Sequence, residues 1–199
     1  MVKALRKGLA AAVFLIVMGA ADPAAASVET AAQFVNQFGN QALAALRDPT
    51  LTGPDREARA RSLLRQGFDM AFIGRFVLGE NWARATAAQR TDYLALFEIY
   101  MVKSYTAWFA RHVGERLTVV EARRVSAKDV VVSTRIDSRG SPPITVEWRV
   151  RAIDNRDRII DIASNGISLA GNQRLEFGAV IKREGIDGLI AYLRQRAAE

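Results

Sequence analysis

From residue 28 onward the apolar positions recur first at helical spacing, then alternate, then return to helical spacing. Val28 to Leu46 carries Phe34, Phe38, Ala42 and Ala45 on one face, which predicts a first helix ended by Asp48-Pro49. Beyond the linker Thr52-Gly53-Pro54, the segment Arg56 to Gln66 sets Ala60, Leu63 and Leu64 among arginines and predicts a second helix. Gly67 to Gly79 is densely apolar and punctuated by glycine and charge, and reads as a turn and a short helix pressed into the core. Asn81 to Ala85 reads as a loop anchored by Trp82. Thr86, with Gln89 three residues later, forms a capping box for a long helix from about Ala87 to Arg111. Tyr93, Phe97, Tyr100, Ser104 and Trp108 make one stripe along that helix, and Leu94, Met101, Tyr105 and Phe109 lie beside it. This apolar face is wider than an ordinary amphipathic stripe. Two readings stand: a helix clamped between other helices and a sheet, or a helix that also lines an apolar cavity.

The period then changes to two. Arg116 to Arg123 predicts a strand with Leu117, Val119 and Glu121 opposite Thr118, Val120 and Ala122. Asp129 to Ile136 predicts a second, with Val130, Val132, Thr134 and Ile136 on one side. Ser138 to Pro143 reads as a turn. Ile144 to Ile153 is the clearest strand, with Ile144, Val146, Trp148 and Val150 pointing one way and Thr145, Glu147, Arg149 and Arg151 the other. Asp154 to Asp157 is a hairpin turn, and Ile159 to Ser164 is a fourth strand with Ile160 and Ile162 on one face. The stretch Asp161 to Ala170 reads as that strand turning into the closing helices, Leu175 to Lys182 and, past a break near Gly185, Ile186 to Arg196. The expected fold is α+β: helices on one face of a strongly twisted four-stranded antiparallel meander, enclosing an apolar pocket.

The N-terminus changes the domain picture. Lys3, Arg6 and Lys7 precede the apolar run Leu9 to Ala20, and Asp22-Pro23 and Ala24-Ala25-Ala26 follow it. This is the pattern of a secretory signal over residues 1–26, cleaved after Ala26, and it predicts a periplasmic protein with one domain over 27–199. The alternative, a membrane anchor, needs about 20 apolar residues and the run is shorter. The chain has 28 basic and 21 acidic residues; without Lys3, Arg6, Lys7 and Asp22, 25 and 20 remain. An exported basic protein meets anionic headgroups or acidic protein faces rather than nucleic acid. Arg56, Arg59, Arg61, Arg65, Arg123, Arg124, Arg149 and Arg151 are the candidates for such a face.

Catalytic and metal chemistry finds little support. There is no cysteine, and His112, at the end of the long helix, is the only histidine, so no zinc site and no cofactor is expected. No nucleophile elbow, phosphate-binding loop or dinucleotide fingerprint is present. Asp69 and Asp161 could pair as carboxylates for acid–base work, the one enzymatic alternative. The positive signal is apolar. Each buried methylene is worth about 0.8 kcal/mol, so a transported 16-carbon chain needs on the order of 10 kcal/mol of replacement burial. The wall candidates are Phe97, Met101, Tyr105 and Phe109 on the long helix and Val132, Ile144, Val146, Trp148, Val150 and Ile162 on the sheet.

Several words, in order, resemble the MlaC family, also called toluene-tolerance or Ttg2D proteins: Phe68-Asp69; Phe76-Val77-Leu78-Gly79 followed by Trp82; Ala85 to Arg90 leading to Phe97; Tyr105; Pro143 to Arg149; Asp161-Ile162; and Asn165 to Leu169, ending near Phe177. The resemblance runs from about Val28 to Arg196. It implies a soluble periplasmic carrier, expected as a monomer, that binds phospholipid acyl chains in a deep pocket with the headgroup at the mouth. It further implies exchange with an inner-membrane ABC lipid transport complex and an outer-membrane lipoprotein–porin complex, and hence a role in outer-membrane lipid asymmetry. Glu147-Trp148 and Arg158-Ile159-Ile160 depart from the family's common words. With a related branch linked to hopanoid synthesis, these keep a hopanoid or other polycyclic lipid as the alternative cargo.

Overall fold

The computed structural model describes residues 26–111, 116–138 and 141–198. Residues 1–25 of the expected signal segment 1–26, His112 and the centre of the Ser138–Pro143 turn lie outside them, as do the side chains of Trp108 and Phe109. The elements are α1 (Val28–Arg47), α2 (Gly53–Gly67), α3 (Met70–Leu78), α4 (Asn81–Arg84), α5 (Ala87–Arg111), β1 (Arg116–Arg124), β2 (Asp129–Ser138), β3 (Ser141–Ile153), β4 (Arg156–Ser164), β5 (Ile167–Ser168) and α6 (Leu169–Ala198). The strands form one antiparallel sheet in chain order. The architecture is therefore α+β as expected, with five strands rather than four. The added strand follows Asn165-Gly166, both at positive φ, the backbone a two-residue hairpin turn requires. Asp154 and Asn155 make the same kind of turn between β3 and β4.

Helix starts follow the capping chemistry. The Ser27 hydroxyl accepts from Thr30 N at 2.9 Å. Asp69 Oδ1 accepts from Phe72 N at 2.8 Å. The capping box closes as expected, with Gln89 N donating to Thr86 Oγ1 at 3.2 Å and Thr86 N donating to Gln89 Oε1 at 2.9 Å. Asn81 to Arg84, expected as a loop, is a four-residue helix; Trp82 sits between Arg75 and Arg90, each 5.3 Å from its ring centre. α6 breaks at Gly185, where φ of 73° interrupts the helical backbone.

Two bulges correct the expected strand faces. β1 carries one extra residue between Val119 and Glu121, so Ala122 joins Leu117 opposite the inward residues of β2, and Val120 is exposed. β4 carries another: Val150 pairs with Ile159 and Arg149 with Asp161, which leaves Ile160 unpaired. Ile159 and Ile162 therefore join the main core cluster, and Ile160 is buried outside it. β3 also begins earlier than expected and absorbs Pro142 and Pro143. It tolerates them because β4 covers β3 only from Val146, so the prolines lie where one side of the strand has no partner.

The sheet's inner face (Val130, Val132, Thr134, Ile136, Val146, Trp148, Val150) is fully enclosed against the helices. Trp148 Nε1 donates to Thr134 Oγ1 at 2.8 Å, and that hydroxyl donates to Val146 O at 3.0 Å. The polar atoms on this face are thus paired within it, as burial demands.

Asp129 is the one buried carboxylate among the described residues. Arg151 Nε donates to it at 2.7 Å and Arg149 Nε at 3.1 Å. Burial alone would raise its carboxyl, but the Arg151 hydrogen bond and the charges of Arg151 and Arg149 outweigh burial and hold it below the ordinary carboxylate range. A depressed folded-state value contributes stability above the unfolded value of about 3.9, and that stability is lost as pH falls through the folded value. Asp129→Asn is expected to cost about 1.5–3 kcal/mol at pH 7, the worth of hydrogen bonds to a charged group. The gap to wild type should close in urea melts as pH drops below about 3.9. A gap independent of pH would show that the arginine pairing contributes nothing.

Candidate functional site

The aromatic stripe of α5 serves two places. Its first half packs toward α6: Tyr93 stacks on Phe97 at 5.5 Å, and Phe177 meets Phe97 at 6.3 Å and Tyr100 at 5.5 Å. The Tyr93 hydroxyl donates to Gly74 O at 3.0 Å. Its second half turns toward α1 and α2. There Phe38 meets Phe34, Phe68 and Trp148 at 6.0, 5.7 and 6.4 Å, and Tyr105 meets Phe68 at 5.6 Å.

Beside this second cluster lies an apolar cavity of about 40 Å³ between α1, α2 and α5. Its walls are Phe38, Ala42, Ala45 and Leu46 from α1, Ala60, Leu63 and Leu64 from α2, Phe68, and Tyr105 and Thr106 from α5. Arg56 is its one charged lining residue, and its Nη2 donates to Leu51 O at 3.0 Å. Alanines of α1 and α2, with their small side chains, line the cavity from both helices. At the other end of α2 the helices touch: a Cβ built on Gly67 would collide with the Phe38 ring. Phe68 then leaves the helix in extended backbone, and Asp69 N donates to Ile159 O at 3.0 Å, which ties the end of α2 to β4.

Burial raises the Tyr105 hydroxyl well above the ordinary tyrosine value, and the Asp161 charge adds to the shift, so this hydroxyl stays protonated. It has no hydrogen-bond partner among the described residues, and neither has Thr106 Oγ1.

Of the expected wall residues, Tyr105 lines this cavity. Phe97, Met101, Val132, Val146, Trp148, Val150 and Ile162 are buried in the continuous core, and Ile144 packs against it partly exposed. Sequence reasoning did not single out Ala42, Ala45, Leu46, Ala60, Leu63, Leu64 or Thr106 as walls. Its available signal was small residues on the inward faces of two adjacent helices.

The larger hollows carry charged residues in their walls. A groove of about 950 Å³ between α2, Phe34 of α1 and the start of β4 is lined by Arg61, Arg65, Arg156 and Arg158 with Glu57 and Asp157. Its charged walls suit it poorly to hydrocarbon. Asp69 and Asp161 are each engaged at a helix start, Asp69 with Phe72 N and Asp161 Oδ1 with Ala170 N at 3.2 Å. No group of three or more metal-ligating side chains occurs among the described residues, and no described helix is long and apolar enough to cross a membrane. Most of the arginines expected to form a free basic face are engaged: Arg61 with Glu57, Arg65 with Glu98, Arg123 with Glu147, and Arg149 and Arg151 with Asp129.

The family model described as MlaC protein matches residues 18–195. Among solved structures, the chain is similar to a phospholipid-binding protein from Ralstonia solanacearum, determined in complex with a phospholipid. The TM-score is 0.70 at 24% identity, over 84% of this chain and 97% of that one, which establishes a shared fold.

Proposed function

The chain belongs to the MlaC family, and from that premise we propose that it is an exported, periplasmic lipid carrier rather than an enzyme. Its cargo is a phospholipid whose acyl chains enter the cavity between α1, α2 and α5, with the phosphate outside near Arg56. It delivers that cargo between an inner-membrane ABC transport complex and an outer-membrane lipoprotein–porin complex. The observation that carries the reading is the apolar cavity bounded by three helices of a fold shared with a protein that holds phospholipid.

A cavity of about 40 Å³ has room for little more than one water molecule. Small-molecule sites span roughly 300–1,000 Å³. Loading therefore requires the cavity's walls to part. Among the described residues, no side-chain hydrogen bond joins the alanine-lined halves. Catalysis has no comparable support, because the two aspartates that could pair are spent on helix starts.

The test is to recover the protein from the periplasmic fraction of expressing cells, sequence its N-terminus and extract it with organic solvent. A chain starting near Ser27 with up to one diacyl phospholipid per protein is the expected result. A hopanoid in the extract would change the cargo. A chain still starting at Met1, or protein with no lipid, would overturn the carrier reading.

A further inference from the structure

α3 has no polar face. Of its nine residues, Met70–Leu78, only Arg75 is polar. Ile73, Gly74, Val77 and Leu78 are buried, and the pairs that alternate with them, Ala71-Phe72 and Arg75-Phe76, face outward. Phe76 is 41% exposed. A helix that is apolar all round is ordinarily covered on every side. Here the outer side borders an open groove of about 680 Å³, walled by Ala71, Phe72, Arg75 and Phe76, by Trp82 and by Ile153 at the end of β3.

Each aromatic ring of this groove carries an arginine. Arg151 lies 4.7 Å from the Phe72 ring centre, Arg174 5.2 Å from that of Phe76, and Arg75 5.3 Å from that of Trp82. Arg174 also reaches Gly79 in the groove wall, where a built Cβ would lie 2.8 Å from its Nη2. A ring holds a guanidinium in place without cancelling its charge. Arg151 is paired with Asp129, but Arg75 and Arg174 form no salt bridge among the described residues. The one carboxylate in the wall, Asp69, is engaged by the start of α3.

We propose that this groove docks an acidic segment of a partner protein, which seats an apolar side chain among Phe72, Phe76 and Trp82 and sets carboxylates against Arg75 and Arg174. Aromatic residues and arginine are the types enriched at the centres of protein interfaces. A guanidinium and a carboxylate pair through two parallel hydrogen bonds. The recess favours a polypeptide over a bilayer, because a flat surface of headgroups meets the arginines before the rings. The groove shares no lining residue with the cavity between α1, α2 and α5, so the inference goes beyond the carrier reading and stands whatever the cargo.

The experiment pans phage displaying short random peptides against the purified full chain. A selected peptide, labelled with fluorescein, is then titrated by anisotropy against wild type and variants. Selected sequences should combine Asp or Glu with a large apolar residue. Phe76→Ala should weaken binding at least about tenfold, as loss of a central aromatic anchor does. Arg75→Gln/Arg174→Gln should weaken it several-fold and flatten its salt dependence, because exposed charge pairs are screened. All three side chains are exposed, so both variants should give the circular dichroism of wild type. Peptides without acidic residues, no enrichment at all, or binding that neither variant changes would each overturn the inference. Wild type that selects no peptide but sediments with phosphatidylglycerol vesicles, and ceases to in Arg75→Gln/Arg174→Gln, would overturn it in favour of an anionic membrane surface.

Discussion

Ala60→Trp should leave the protein folded and strip it of lipid. Ala60 lies mid-way along α2, partly buried, with its methyl group in the cavity wall opposite the alanines of α1. An indole there fills the space that acyl methylenes would enter and props the helices at a fixed separation. Each excluded methylene forfeits about 0.8 kcal/mol, so four of them weaken retention on the order of 100-fold. The cost to folding should stay within the roughly 1–3 kcal/mol typical of overpacking, because the cavity opens toward solvent and the ring can tilt outward. Circular dichroism and lipid content, measured on one preparation, separate the two effects. A folded tryptophan variant with full lipid content would remove this cavity as the acyl site.

The largest stability effect is expected at Trp148. Its side chain is fully enclosed on the central strand β3, edge-on to Phe38 at 6.4 Å and hydrogen-bonded to Thr134 at 2.8 Å. Trp148→Ala removes that volume from a site bounded by sheet and helix, where collapse is restricted, and should cost about 3–5 kcal/mol. For a chain of this size that is a fall in melting temperature of about 6–20 °C. Trp148→Phe should recover much of the packing and none of the hydrogen bond. A melting temperature within about 2 °C of wild type for the alanine variant would mean that the indole is not a structural centre.

The parts of this fold legible in the sequence are those in which one physical signal dominates. The capping box at Thr86 and the positive-φ break at Gly185 each rest on a local requirement that few residues meet. The inner faces of β2 and β3 were legible because Val130 to Ile136 and Ile144 to Val150 alternate without interruption. The bulges were not, because each falls beside adjacent apolar residues. Val119-Val120 and Ile159-Ile160 satisfy alternation in either phase, so the pattern cannot say which one is skipped. The Asn165-Gly166 turn carried the strongest short-range hairpin signal in the chain, but the strand after it is two residues long, too short to show a period.

The candidate site divides along the same line. Large aromatic and branched residues announce burial, and they are buried, yet burial alone does not distinguish a core from a wall. The cavity is bounded chiefly by what is small or out of place: Ala42, Ala45 and Ala60 on inward faces, and hydroxyls at Tyr105 and Thr106 where carbon would serve packing better. The arginines read as a free basic face turn out to be mostly paired. Reversing Arg149 or Arg151 would remove one of the two partners of the buried Asp129 and set a like charge beside it, so those positions report on folding as well as on docking.

The order of the strands has a further consequence. Every strand of the sheet pairs with its neighbour in sequence, and the connections β3–β4 and β4–β5 are two residues each. The entropy lost in closing a loop grows only with the logarithm of its length, and here the loops are close to the minimum. The sheet can therefore assemble as a zipper of hairpins, each formed on the microsecond scale and each templating the next. The slow contacts are the helical ones. α3 meets α6 across the whole length of the sheet. The boundary between α1 and α2, joined by only the five residues Asp48–Thr52, closes early by the same measure.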